Sequence, residues 1–158
     1  MWCPGKLYLL LPILIAFLNG CNNCGEDCFY SPDPFDFRII DRISGEDLLF
    51  SELAVYHHDS IRLFYFRGDE ETDLPLRKIY SVYEYNFFRN QTVPYLSSLE
   101  NIKDFYLQLN HLETDTLLID VREINLNCCT VFEYAESYFN GSSMRKNLND
   151  PTVFLLEK

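Results

Sequence analysis

The side chains here that could do chemistry are six cysteines, three histidines and one dense run of acids. The cysteines stand at positions 3, 21, 24, 28, 128 and 129, where a thiol can join a disulfide or bind zinc as thiolate. Cys24-x-x-x-Cys28 alone could serve zinc, but adjacent Cys128-Cys129 lacks the spacer that a second ligand pair normally has. Tyr56-His57-His58-Asp59 invites a metal reading. Adjacent side chains on an extended chain point to opposite faces and chelate poorly, so a polar strand end or turn is the better account. Asp69, Glu70, Glu71 and Asp73 lack the spaced oxygens and central glycine of a calcium loop and read as a solvated turn. No His-Glu-x-x-His pair, Gly-x-Ser-x-Gly elbow or phosphate-binding glycine loop occurs. The expectation is therefore no metal, no cofactor and no catalytic residue.

What positions these groups begins at the amino terminus. Met1 to Lys6 carries one basic side chain and no acid, and an apolar run from Leu7 to Leu18 follows, interrupted only by Pro12. A bilayer core needs about 20 apolar residues in a helix, so the run is short for a span. A charged start, a short apolar middle and small residues before a cut describe a secretory signal peptide. Leu18, Gly20 and Cys21 resemble the lipobox of bacterial lipoproteins, with Asn19 standing where a small residue is usual. That resemblance implies cleavage before Cys21, whose sulfur is then alkylated by diacylglycerol and whose new amine is acylated. Two or three chains matter because one buried chain gives only marginal attachment. Ordinary secretion and an uncleaved anchor are the alternatives.

Removing residues 1–20 from the 158 leaves 138, a comfortable size for one domain. The removed segment holds Lys6 and no acid, so 12 basic side chains face 24 acidic ones in the mature chain. That balance argues against nucleic acid, whose affinity comes mainly from Lys and Arg on phosphates. It also disfavours anionic lipid heads, leaving the lipid rather than charge to hold the protein. Aromatics make up 16% of the chain and suit pleated, half-buried surfaces.

Residues 21–34 read as a tether rich in Gly, Pro, Asn and Asp. From Phe35 the period becomes two, with Phe35, Phe37 and Ile39 alternating with Asp36 and Arg38. Leu48 to Phe50 reads as a short strand. Ser60 to Phe66 is apolar on both parities, as a strand covered on both sides would be. Arg77 to Phe88 reads as one longer strand with Ile79, Tyr83, Tyr85 and Phe87 on one face. A loop holding Pro94 follows, in which Ser97 and Glu100 would cap one helical turn. Asp104 to Asn110, Asp115 to Ile124, Cys128 to Phe139 and Thr152 to Glu157 complete the strands, with Asn140-Gly141 a turn. Seven or eight strands without βαβ spacing predict an all-β fold. The expected domain, residues 35–158, is a single antiparallel β-sandwich, immunoglobulin-like or prealbumin-like.

Phe37-Arg38-Ile39-Ile40-Asp41, Gly45-Glu46-Asp47-Leu48 and Asp115-Thr116-Leu117-Leu118-Ile119-Asp120 resemble small uncharacterised lipoproteins of Bacteroidota. The resemblance implies location and fold and carries no chemistry. In such bacteria, acids soon after the lipid cysteine can signal surface export, and Glu26 and Asp27 resemble that signal. Asp59-Ser60-Ile61 and Asp115-Thr116-Leu117 resemble the Asp-Ser/Thr-apolar tripeptide those bacteria O-glycosylate, naming Ser60 and Thr116. Asp with Ser or Thr is also ordinary turn chemistry. Asn90-Gln91-Thr92 and Asn140-Gly141-Ser142 are N-glycosylation sequons, meaningful only on a eukaryotic secretory route.

With Cys3 removed and Cys21 acylated, an exported chain carries Cys24, Cys28, Cys128 and Cys129 into an oxidising compartment, where disulfides are expected. Cys128 and Cys129 on a strand face opposite sides. Each would therefore take a tether cysteine, with Cys28 in one of the two bonds. A loop of about 100 residues closed in this way is worth roughly 4–5 kcal/mol before strain. The aromatics offer core packing first and a stacking platform second, with Phe132, Tyr134 and Tyr138, or Tyr80 with Phe88, as its candidate members. The expected protein is a lipid-anchored module of the cell envelope, in the outer membrane. It binds or assists without catalysing, and it takes a protein or glycan partner. An envelope hydrolase with an Asp/His site, and a secreted eukaryotic cysteine-stabilised domain, are the alternatives.

Overall fold

The computed structural model describes residues 28–80, 85–126 and 129–158. The expected signal peptide, Cys21, Cys24 and Cys128 lie outside the described residues. In chain order the elements are β1 (Cys28–Phe29), β2 (Phe35–Ile40), β3 (Arg62–Arg67), β4 (Glu70–Leu74), β5 (Arg77–Tyr80), β6 (Asn86–Asn90) and α1 (Val93–Glu100). They continue as β7 (Asp104–Asn110), β8 (Glu113–Leu126), β9 (Cys129–Phe139), β10 (Ser142–Ser143), β11 (Arg145–Lys146) and β12 (Val153–Glu157).

Period-two alternation builds two sheets. One has seven strands in the order β4-β3-β7-β8-β9-β1, with β10 also on β9, and the other runs β11-β12-β2-β6-β5. Pairing is antiparallel except between β1 and β9 and between β2 and β12. The fold is an all-β sandwich. Phe35, Phe37, Ile39, Phe88 and Leu156 of the smaller sheet share one core with Leu63, Phe105, Leu107, Leu117 and Ile119 of the larger. Phe105, Leu107 and Leu109 are fully buried, so the alternation along residues 104–110 holds.

Several expectations give way to geometry. Residues 77–88 are not one strand: β5 and β6 pair as antiparallel neighbours, with Ile79 opposite Phe87. Cross-strand partners share a face, so the pattern is preserved through the reversal and conceals it. Residues 48–50 form no strand either. Asp47 Oδ1 accepts from the Leu49 and Phe50 amides at 2.8 and 2.7 Å, curling the chain while Leu48 and Leu49 are buried. The acid run is not a turn beyond Gly68-Asp69. Glu70 onward is edge strand β4, and Arg62 bonds Glu71 at 2.8 Å and Asp73 at 2.6 Å.

The loop expected around Pro94 is the helix α1, of eight residues. Its first amides are met by Asn90, whose Oδ1 accepts from Thr92 N and Val93 N at 2.8 and 2.7 Å. Ser97 does not cap: it is buried mid-helix against β8. The tether is also partly absorbed into the fold, since β1 adds to β9 and Tyr30 N donates to Thr130 O at 3.1 Å.

A bulge re-aims β9. Asp120 pairs with Glu136 but Val121 pairs with Tyr134, leaving Ala135 as the extra residue. Phe132, Tyr134 and Tyr138 therefore do not share a face, as the simple alternation predicts. Phe132 and Tyr134 pack against the core, whereas past the bulge Phe139 turns inward and Tyr138 outward.

Candidate functional site

Two places gather the groups that could act. The first lies beside the loop that follows β2. There Phe50, Val55, Tyr56, His57, His58, Lys78 and Tyr80 line a cleft of about 520 Å³. Because residues 56–60 are a turn, His57 and His58 do not point apart as they would on a strand. Their rings stack with centroids 4.9 Å apart, and Phe50 continues the stack on His58 at 5.7 Å. Asp59 lies 3.7 Å from His57 and 3.6 Å from His58, beyond a good hydrogen bond, and its other oxygen binds Lys78. That lysine holds the Asp59 carboxyl below its ordinary range. A carboxylate so stabilised is a poor proton donor. Ser60 Oγ sits 2.7 Å from both the His57 and Leu109 carbonyl oxygens, and Ser51 Oγ donates to Asp47 O at 2.6 Å. Both hydroxyls are occupied in holding the turn. Among the described residues, no three His, Cys, Asp or Glu side chains gather as metal ligands.

The second place is the outer face of the seven-stranded sheet. Leu63 and Tyr65 of β3 face the core, which turns Phe64 and Phe66 outward. The covering expected over that second face is partial: Phe66 is 42% exposed, whereas Phe64, at 6%, is closed over by Phe66, Tyr106 and the Arg62 guanidinium. Phe64 pairs across the sheet with Tyr106, and their rings stack at 5.4 Å. Phe66 meets both edge-on, at 5.7 Å from Phe64 and 5.3 Å from Tyr106. Tyr106, half-buried, also borders a groove of about 360 Å³ with Leu118, Tyr138, Thr116 and Asp104. Leu118 pairs with Tyr138 and with Asp104, so an apolar band crosses four neighbouring strands. At about 4.8 Å per strand spacing, the band is roughly 14 Å long.

Ion clusters border the band on both sides. On one, Arg62 bonds Gln108 at 3.0 Å and the two β4 acids. On the other, Asp120 receives Lys103 at 2.8 Å and Arg122 at 2.6 Å, and Arg122 approaches Glu136 at 3.9 Å. Lys103, followed by Arg122, holds the Asp120 carboxyl below its usual range.

The platform members named from sequence fare unevenly. Phe88 is core, Tyr134 packs on Phe154 at 5.0 Å, and Tyr80 is exposed beside the histidine cleft. Burial pushes the Tyr134 phenol up, and its hydroxyl donates to Asp33 O at 2.9 Å. Only Tyr138 joins the outer band. Phe64, Phe66 and Tyr106 were missed, although Phe64-x-Phe66 and the 104-106-108 alternation carried the signal.

Of the modification candidates, Ser60 is exposed with its hydroxyl engaged, and Thr116 is exposed with Oγ1 3.4 Å from Asn140 Oδ1. The sequon at Asn90 is closed: this side chain is 1% exposed and also donates to Pro75 O at 2.9 Å, leaving no room for a glycan. Asn140 is committed as well, donating to Asp115 Oδ1 and accepting from Thr116 N. Cys129 is disulfide-bonded, and the register sets Cys28 directly beside it. No helix among the described residues is long and apolar enough to cross a membrane. Comparison with protein-family models, with curated proteins and with solved structures returns no match.

Proposed function

We propose that this chain is a lipid-anchored module of the cell envelope that binds rather than catalyses, with its outer sheet face as the working surface. One observation carries the reading. The larger sheet places Phe64, Phe66, Tyr106, Leu118 and Tyr138 in one band on the face turned away from the core. Phe66 is exposed and Tyr106, Leu118 and Tyr138 are half-buried around the buried Phe64 ring, and contiguous part-exposed apolar surface away from the core marks contact sites. Lipidation at Cys21 rests on the lipobox resemblance and supplies the anchor. The test uses cross-linking in intact cells followed by identification of captured partners. Phe66→Ala should reduce capture while leaving the fold intact, and Cys21→Ser should release the protein from membranes. Undiminished capture by Phe66→Ala would remove the surface from the reading.

An envelope hydrolase is the second reading, favoured by one feature, the approach of two imidazoles to Asp59 beside a cleft. Replacing His57, His58 and His111 together separates the readings. Loss of the cellular phenotype with folding and partner capture unchanged would favour the hydrolase and end the non-catalytic part of the proposal.

A further inference from the structure

We infer that the outer band is built for a neutral oligosaccharide, an inference that rests on the binding reading above. Electrostatics decides the ligand's charge. The chain carries a net −11, yet the ions flanking the band are already matched. Arg62 is held between Glu71 and Asp73, and Lys103 and Arg122 converge on Asp120 with Glu136 nearby. Among the described residues, a phosphate or uronate finds no cation beside the band that is not already paired. A polycation finds Asp104 as the one flanking acid without such a partner among the described residues, too little for affinity by charge. What remains is a set of planar polar groups beside aromatic rings: the Arg62 guanidinium and the Gln108 amide, held on each other at 3.0 Å, and the exposed Asp104 carboxylate. Sugar hydroxyls hydrogen-bond to such groups while the C–H faces of the rings pack on aromatics.

Size decides against a protein. A stable protein interface engages roughly 20–30 residues a side, whereas this band offers a handful of side chains between ion clusters. Its length of roughly 14 Å, set by three strand spacings, suits two or three sugar rings laid across the strands. Rigidity completes the fit. Phe64, Phe66 and Tyr106 fix one another by stacked and edge contacts, so binding freezes few rotamers, and weak ligands depend on that economy.

The mature chain is titrated with the linear hexaoses of β-1,4-glucose, β-1,4-mannose and β-1,4-xylose, with oligogalacturonate and hexalysine as charged controls. Calorimetry and tyrosine fluorescence report binding. We expect at least one neutral hexaose to bind and both controls to fail. Phe66→Ala and Tyr106→Ala should each weaken binding about tenfold. His57→Ala, at the separate cleft, should leave it unchanged. Unfolding midpoints confirm that the variants fold, and Phe66→Ser replaces Phe66→Ala should the latter be unstable. Failure of all three neutral hexaoses, binding of hexalysine alone, or equal binding by both aromatic variants would overturn the inference. If Phe66→Ala still abolished capture in cells, the binding module would stand and only its glycan ligand would fall.

Discussion

Ser97 Oγ accepts a hydrogen bond from the Val121 amide at 2.8 Å, although Ser97 belongs to helix α1 and Val121 to strand β8. The same hydroxyl donates to Ile119 O at 2.8 Å. Strand β7 begins only at Asp104, so β8 has lost its neighbour at this point, and one buried side chain serves the ladder in its place. Replacing Ser97 by Ala orphans two buried backbone groups. Ser97→Ala should lower unfolding free energy by about 3 kcal/mol, read as a shifted urea midpoint with unchanged slope.

Asn90 performs a comparable service at the helix start, with two amides on its Oδ1 and Pro75 O on its Nδ2. Asn90→Ala should cost about 2 kcal/mol. Asn90→Asp keeps the acceptor and loses the donor, so it should fall between. Equal losses for both variants would show that the cap contributes little. Expression along a eukaryotic secretory route should give folded protein without a glycan at Asn90.

Acid stability should be governed by opposed carboxyls. Asp120 is held below its ordinary 3.8 by Lys103 and Arg122. Its contribution is complete above that value and is lost as pH falls through the lower folded pKa. Asp36 behaves in the opposite sense. Burial raises its pKa against the opposing pull of Arg89, so it costs stability as pH rises from 3.8 through its raised folded value. Urea unfolding from about pH 2 to 7 should show a shallower acid limb for Asp120→Asn than for the parent chain.

Thiol chemistry gives the fourth test. Paired residues on neighbouring strands lie about 4.8 Å apart, within the span a disulfide bridges, and Cys28 is paired with Cys129. Non-reducing peptide mapping should find these two linked, with Cys24 joined to Cys128. Bonds confined to 24–28 and 128–129 would refute this arrangement, as would four free thiols.

The core was largely legible in sequence, because Phe35, Phe37, Ile39 and Phe105, Leu107, Leu109 alternate without interruption and each set faces inward. Legibility ended where alternation survives a change of direction. Ile79 and Phe87 sit on one face whether residues 77–88 are a strand or a hairpin, and no Gly or Pro marks the reversal. It also ended at Ala135, where one extra residue exchanges the faces of everything after it. The aromatic band was hidden by a different ambiguity. Leu63 to Phe66 are all apolar, and only the placement of β3 in the sheet separates its core face from its outer face. The histidines show the converse, since their geometry depends on a turn that no spacing rule describes.

Strands β8 and β9 are the longest in the molecule, at 14 and 11 residues, and β1 joins them at Cys129, near the far tip of their hairpin. From Leu126 back to Leu118 is eight residues of strand, about 26 Å. The seven residues from Cys21 to Cys28 add at most roughly 25 Å of slack. A lipid at Cys21 would thus be attached at one end of a stiff mast, and the aromatic band would ride at the other. The band would stand about 26 Å along the hairpin from the point where β1 joins it, with whatever length the tether takes up added to that distance.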